Sequence, residues 1–421
     1  MADVLARGDR VVVDVGPAAH GGHCVARHEG QVLFVRHALP GERVEAVVTD
    51  VGRKNRFVRA DAVAVLEPSP DRVEPPCPHA RPGGCGGCDW QHASLPAQRA
   101  LKAAVLREQL ERLGGISEIG GVPLAESVDV VAVPGDHDGL GWRTRVRFAV
   151  GPGGRAGFHG HRSHAVHPVD PCPLTTQELQ DIRATALDWE GTDALEVVAS
   201  SGGDRTVVVE PSRIGRGLPR EVNVPGLRGR GWVRELAAGR EWRVAADGFW
   251  QVHPGAADTL VAAVRAALDP RPGERLLDLY CGVGLFAGAL AADLGPDGAI
   301  DAVEASTRAC ADARRNLHDL PNVRIHAAPV ERWLASPSAP DESDLVVLDP
   351  PRSGAGVEVI DALLDRAPRA IAYVACDPAA LGRDLGHAAR AGWRVASVQG
   401  FDLFPMTHHL EAVALLLPPS R

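Results

Sequence analysis

Apolar and polar residues alternate in short runs over residues 5–66. Examples are Arg10-Val11-Val12-Val13-Asp14, Gln31-Val32-Leu33-Phe34-Val35 and Arg43-Val44-Glu45-Ala46-Val47-Val48, with Gly and Pro between them. Period-two runs broken by turn residues, with few helical patterns, predict a small OB-like β-barrel. Pro68, Pro70, Pro75 and Pro76 then mark a linker over 67–76. Leu95, Ala100, Ala103, Leu106, Leu110 and Leu113 recur at helical spacing and predict an amphipathic helix. Strand-like runs follow at 145–150, 195–199 and 206–209. From about residue 246 the pattern becomes α/β, with a helix at 256–268 and then apolar strands that end in acids or a cysteine, near Asp278, Glu304, Asp349 and Cys376. A turn and a last strand over 401–413 close the chain. The predicted class is multidomain α/β: a barrel at 5–66, a central α+β domain at 70–245 and a Rossmann-like domain at 246–421.

A length of 421 residues suits two to four domains, and 45% apolar with 24% charged residues suits a folded soluble protein. The chain has no 18-residue apolar run and does not open on a charged-apolar-small leader, so a cytoplasmic, non-membrane protein is expected. In that setting eight cysteines argue for metal binding or catalysis over a disulfide framework. A net charge of −9 excludes a simple polybasic nucleic-acid binder, so any such role rests on local patches. One candidate is the run Gly52 to Arg59, in which Arg53, Lys54 and Arg56 flank Phe57. Basic and aromatic residues on a barrel suit single-stranded nucleic acid, and a solvated charged face is the other reading. A second is Trp142 to Phe148, where a strand would place Arg143, Arg145 and Arg147 on one face. That face would meet phosphates or form a salt-bridge stripe.

Three stretches carry chemistry. Cys77, Cys85 and Cys88 form C-x7-C-x2-C on a Gly/Pro-rich loop, a metal-ligand pattern, and Cys172, flanked by prolines, is the candidate fourth ligand. Spacing leaves zinc and an iron–sulfur cluster open, and His79 or His92 could replace a cysteine at zinc. Next, Asp278-Leu-Tyr280-Cys-Gly282-Val-Gly284 follows a strand and opens a helix, with Glu304 ending the next strand. This is a nucleotide-binding βαβ unit. Its G-x-G lacks a third glycine, which favours S-adenosylmethionine over a dinucleotide, since that ligand has no pyrophosphate to seat on a helix N-terminus. Asp349-Pro-Pro-Arg352 brings a carboxylate and a rigid turn to the same sheet edge. Finally, Cys376 ends a strand before Asp377-Pro378, and Glu411 lies on the strand that follows in sequence. A thiol there is a small apolar strand end or a nucleophile. Glu411 is a surface carboxylate or a base opposite that thiol.

Together these motifs resemble the RNA 5-methyluridine (uracil-C5) methyltransferases, in the branch with an N-terminal TRAM domain and an iron–sulfur cluster, similar to the 23S rRNA enzymes. The resemblance spans nearly the whole chain. It implies a TRAM barrel at 5–66, a [4Fe–4S] cluster on Cys77, Cys85, Cys88 and Cys172 with zinc as runner-up, and a class I methyltransferase domain. It implies S-adenosylmethionine contacts by Gln251 (in Phe249-Trp-Gln-Val), Asp278, Tyr280, Gly282, Gly284, Glu304 and Asp349. Cys376, in Tyr373-Val-Ala-Cys-Asp-Pro-Ala, becomes the nucleophile and Glu411, in Phe404-Pro-x-Thr-x-His-x-Glu, the general base. The implied partner is RNA with a flipped-out uridine, ribosomal RNA favoured over transfer RNA, met by a monomer. The chain departs from the family pattern at Asp377 and His253, where Asn is frequent, at Ser353, where Lys is frequent, and at Ala327-Ala328, where a polar residue is frequent. Two other classes compete. A non-catalytic RNA-binding module would lack the thiol or the carboxylate, and an amine-directed methyltransferase commonly has an aromatic residue where Arg352 stands.

Overall fold

A computed structural model of the chain describes residues 5–53, 57–211 and 231–419. Five strands, β1 (Arg10–Ala19), β2 (His23–His28), β3 (Gln31–Arg36), β4 (Arg43–Val51) and β5 (Val58–Glu67), close into a barrel in the order β1-β2-β3-β5-β4. The alternation explains the closure. Val11, Val13 and Val15 of β1 are buried while Arg10, Val12 and Asp14 face out, so the apolar faces of the five strands share one interior.

The helix α1 (Leu95–Gly114) follows, capped by the Ser94 side chain on Ala97 N and ended by Gly115 in the left-handed region. A short strand, β6 (Val130–Ala132), comes next. The middle of the chain forms a second sheet from β7 (Arg145–Val150), β8 (Ala156–His159), β9 (Val166–His167), β10 (Thr192–Ala199) and β11 (Arg205–Pro211), in the order β9-β8-β7-β10-β11. A hairpin of β12 (Trp232–Ala237) and β13 (Arg240–Ala245) lies between this sheet and the last unit.

The last unit alternates α2 (Ala256–Leu268), β14 (Arg275–Leu279), α3 (Leu285–Leu294), β15 (Ala299–Glu304), α4 (Thr307–Asn316), β16 (Val323–Ala327), β17 (Leu345–Leu348), α5 (Val357–Asp365), β18 (Ala370–Ala375), α6 (Pro378–Arg390), β19 (Arg394–Asp402) and β20 (Glu411–Leu417). Its sheet runs β16-β15-β14-β17-β18-β20-β19-β6. The first five strands in that order are parallel, and β20 pairs antiparallel with β18 and with β19. Strands β17 and β18 are buried at every position because helices cover both faces. The period of two divides them. Val347, Ala372 and Val374 pack with α2 and α3, while Val346, Leu348, Ile371 and Tyr373 pack with α1, α5 and α6.

One boundary differs from the sequence pattern. Helix α1 and strand β6 sit within the range read as central, yet Leu106, Leu110 and Val128 join the core of the last unit, and β6 extends its sheet beside β19. The helix crossing explains this. The first side-chain carbon added at Gly382 or Gly386 of α6 would stand 2.5 Å from Gln109 O or 2.4 Å from Gly114 O, so the bare backbones of α1 and α6 touch. Among the described residues no helix is long and apolar enough to cross a membrane.

Candidate active site

The parallel strands β14, β15, β17 and β18 all end at one edge of the sheet. Cys376 follows β18 directly, and the chain turns at once because Asp377 is the N-cap of α6: its Oδ1 accepts from Ala380 N at 2.8 Å, and Pro378 opens the helix. Strand β20 starts at Glu411. It pairs with β18 in a register that ends at Ala375↔Ala412, so the next step of the ladder sets Cys376 across from Glu411. Direct antiparallel neighbours stand roughly 5 Å apart at Cβ.

The electrostatics of this pair follow from burial. Glu411 is 3% exposed. Its carboxyl is pushed well above the usual range, first by burial and then by the nearby acid Asp349, with Arg352 opposing. The Cys376 thiol is pushed up to about 12, by burial first and then by Glu411 and Asp349, while Arg352 again lowers it. Asp349 is itself raised to about 7 by burial. The corner therefore holds a protonated thiol among acids in a low-dielectric edge, a set of groups suited to proton transfer and nucleophilic attack.

The Gly-rich turn lies beside it. Asp278, 1% exposed, accepts from Ala287 N at 2.8 Å through Oδ2, and its buried Oδ1 has no partner among the described residues. Burial, with Asp349 and Glu304 adding to it, raises its carboxyl to about 7. An unpaired buried acceptor is a ready site for a cationic or N–H donor. Tyr280, Gly282 and Gly284 all take positive φ, which turns the chain away from the sheet edge. Glu304 braces this turn, accepting from Gly282 N at 3.1 Å and Ser306 N at 2.7 Å. A carboxylate has further lone pairs for a ligand hydroxyl. Gln251 is half-buried, and the carbonyl of Val252 accepts from both Thr144 N and Thr144 Oγ1 at 2.9 Å. His253, one of the departures, is buried and stacked on Trp142, with Gly255 N donating to its Nδ1 at 3.1 Å. Ser353 and Ala327 are exposed and Ala328 is half-buried.

Cys77, Cys85, Cys88 and Cys172 line one cavity together with Gln91, Arg143 and Phe158. Two N–H groups already point at sulfur: Gln91 Nε2 donates to Cys88 Sγ at 3.1 Å and Gly87 N to Cys85 Sγ at 3.4 Å. His92 is not among the lining residues; its Nε2 lies 3.4 Å from the carbonyl of Ala38 in the barrel. Among the described residues no group of three or more His, Cys, Asp or Glu is arranged to hold a metal ion.

The basic residues fall apart into different roles. Arg53 is exposed, while Lys54 and Arg56 lie outside the described residues. Arg143 lies over the Trp142 ring, 5.1 Å from its centroid, and lines the cysteine cavity. The single arginine face expected over 143–147 does not form. Arg145 is 5% exposed and bonded to Glu235 at 3.0 Å, with the carbonyls of Ala246 and Gly248 as further acceptors. The alternation is real, but the hairpin β12–β13 covers that side of β7, and a buried guanidinium needs a buried partner. Only Arg147 stays exposed, paired with Glu210.

Sequence reasoning missed two features. The first is a cleft of about 930 Å³ between the barrel and the β8–β9 connection, lined by Arg7, Arg36, Arg59, Arg81 and Arg162 with His20, His23, His161 and His167, against Asp50 and Asp61. Its residues come from seven separate stretches between residues 7 and 167, so no local run shows it. The second is the support of the turn before Glu411. Met406 O accepts from Asp89 N at 3.0 Å and Trp90 N at 3.1 Å, Met406 N donates to Gln98 at 2.7 Å, and His408 donates to Asp89 through its backbone N at 3.2 Å and its ring Nδ1 at 2.6 Å. Lys102, fully buried on α1, donates to Asp402 at 2.5 Å and to Phe404 O at 2.9 Å.

Comparison with known proteins gives a consistent picture. Residues 5–63 match the TRAM domain, residues 341–418 the tRNA (uracil-5-)-methyltransferase family, and residues 255–373 the methyltransferase small domain. An uncharacterized RNA methyltransferase of Streptomyces avermitilis is 49% identical, over 98% of this chain and 99% of its own. One from Corynebacterium efficiens is 35% identical over 99% and 96%. The crystal structure of Pyrococcus abyssi tRNA (uracil-54, C5)-methyltransferase with S-adenosyl-L-homocysteine shares the fold at 21% identity, with a TM-score of 0.68 over 97% of this chain and 100% of that one.

Arg145 and Arg147 offer a direct check on the geometry. Arg145→Ala leaves Glu235 charged and buried without its cation and is expected to cost about 3–5 kcal/mol, read as a lower urea midpoint. Arg147→Ala, at the surface, is expected to shift stability by no more than about 0.5 kcal/mol.

Proposed function

We propose that this chain, which belongs to the RNA (uracil-5-)methyltransferase family, methylates C5 of one uridine in RNA through a covalent adduct at Cys376. The observation that carries this reading is that Cys376, just past the end of β18, and Glu411, the first residue of β20, each adjoin the last pair of that ladder, Ala375↔Ala412. C5 of uracil is too weak a nucleophile to attack a methyl donor unaided. Cys376 gives up its proton to solvent, its sulfur adds to C6 as the thiolate, and the C5–C6 π electrons move to C5 as an enolate. S-adenosylmethionine supplies an electrophilic methyl group, and its sulfonium charge favours the thiolate. C5 forms the new bond to the methyl carbon as the methyl–sulfonium bond breaks, its electron pair returns to sulfur, and S-adenosylhomocysteine leaves. Glu411 then takes the proton from C5, the C5–C6 double bond re-forms and the C6–sulfur bond breaks, which frees Cys376. The adduct divides one difficult step into two easier ones, and a base on the facing strand reaches the C5 proton while the thiol holds C6. Gln251, Asp278, Tyr280, Gly282, Gly284, Glu304 and Asp349 form the edge assigned to the methyl donor, where the free Oδ1 of Asp278 suits a cationic amine.

The target uridine leaves its stack to reach this edge, and the flanking strand lies in the basic cleft between the TRAM barrel and the β8–β9 connection. Ribosomal RNA, of the large subunit, is the favoured substrate. The group assigned to the four cysteines is a [4Fe–4S] cluster: they line one cavity, N–H groups are aimed at the sulfurs of Cys85 and Cys88, and Arg143 stands beside them as a cation, although among the described residues the four are not preassembled as a metal site. Bound there, the cluster would tie the loop 77–88 to Cys172.

Three outcomes test the reading. Cys376→Ala is expected to lose methylation and the gel-stable adduct with 5-fluorouridine RNA, whereas Glu411→Gln is expected to stall as an adduct on ordinary uridine RNA; a fully active Cys376→Ala protein ends the mechanism. Mapping 5-methyluridine in a deletion strain should show one site lost from 23S rRNA, with loss from transfer RNA alone reassigning the substrate. Protein purified without oxygen is expected to be brown, with about four iron and four sulfide per chain; a colourless zinc protein rejects the cluster.

A further inference from the structure

One turn of the barrel reaches the neighbourhood of both Cys376 and Glu411 through the residues beside them. Residues 20–22 link β1 to β2. His20 Nε2 lies 3.2 Å from Asp377 Oδ2, and Asp377 is the residue after the nucleophile. That carboxylate is divided between two tasks, because its other oxygen caps α6 on Ala380 N at 2.8 Å. Two residues further on, Gly22 has φ +79° and packs against Asp89: a first side-chain carbon there would stand 2.7 Å from Asp89 Cγ. Asp89 in turn holds His408, three residues before Glu411. The same turn, through His20, Gly21 and His23, lines the basic cleft. His20 is 39% exposed at its side chain and Asp377 21%, so their contact lies at the mouth of the site and is not part of a core.

We propose that this turn is a third component of the active site, with His20 as a positioning residue that fixes the Cys376 corner through Asp377. The proposal rests on the reading of Cys376 as nucleophile. An acceptor at Asp377 Oδ2 requires a donor opposite it, so His20 carries its proton on Nε2 when neutral. With the donor in place the carboxylate cannot rotate, the helix cap is kept, and the backbone that carries the thiol holds one direction. RNA seated in the cleft presses on the same turn, so occupancy of the barrel and orientation of the thiol are joined through a single side chain. The departure from asparagine at this position gains a physical meaning: a carboxylate takes a stronger, charge-assisted hydrogen bond from the imidazole than an amide does.

The test is the single-turnover rate of adduct formation with 5-fluorouridine RNA, measured beside RNA affinity. His20→Ala is expected to slow adduct formation about tenfold with RNA affinity changed less than about twofold, a separation that a binding residue does not give. His20→Gln, which keeps a donor, is expected to restore most of the rate. In the double variant His20→Ala with Asp377→Asn the two losses are expected not to add. An unchanged rate in His20→Ala, a loss confined to RNA affinity, or a His20→Gln protein as slow as His20→Ala overturns the proposal. Wild-type protein that forms no adduct sinks the nucleophile reading and this proposal with it, whereas normal wild-type adduct with any of the preceding three outcomes sinks this proposal alone.

Discussion

The pairing of β20 with β18 is the constraint on which the site depends. Side chains alternate along a strand, so a slip of one residue would carry Glu411 to the opposite face and leave Cys376 facing Leu410. The register is fixed by burial. Ala412, Val413, Ala414 and Leu416 of β20 are all buried, and they divide between the two cores as the residues of β18 do. A strand with two buried faces has no alternative register of similar energy. The position of the Glu411 carboxylate is thereby set by aliphatic packing and not by its own contacts.

The turn that leads into β20 has a different kind of support. Among its residues Phe401, Leu403 and Met406 are buried, but its backbone is held from outside by Asp89, Trp90, Gln98 and Lys102. The ion pair of Lys102 and Asp402 is fully buried. Burial pulls the ammonium below its usual range, and the facing carboxylate works against that. Pairs of this kind contribute little net stability, because desolvation offsets attraction, but they tolerate only one arrangement. The segment that follows Cys77, Cys85 and Cys88 and the turn that leads to Glu411 are therefore one hydrogen-bonded unit.

What could be read from the sequence was what is local in it. The barrel, the Gly-rich turn, the thiol corner and the three clustered cysteines each occupy a short stretch whose spacing is set by one turn or one strand. Cys172, set apart in the sequence by its proline flanks, lines the same cavity as the other three. For Arg145 the structure shows the salt bridge, one of the two readings open in the sequence; alternation gives the face of a strand but not what covers that face, and Glu235 lies 90 residues away. Asp89 and Lys102 were invisible for the same reason, since their partners lie about 300 residues further along. The cleft has no local signature at all. Helix α1 was recognised as a helix, but its allegiance to the last unit depends on Gly382 and Gly386, which look like ordinary helix weakeners in a one-dimensional reading.

Those two glycines have a mechanical meaning. Backbones in direct contact leave no compressible layer of side chains between α1 and α6. The loop that bears Cys77, Cys85 and Cys88 leads into the start of α1, and Cys376 sits just before the start of α6. With the helices locked together, the cysteine loop and the Cys376 corner share one rigid frame. A single added methyl group at either crossing point would be felt at both ends of that frame, although neither glycine touches a ligand.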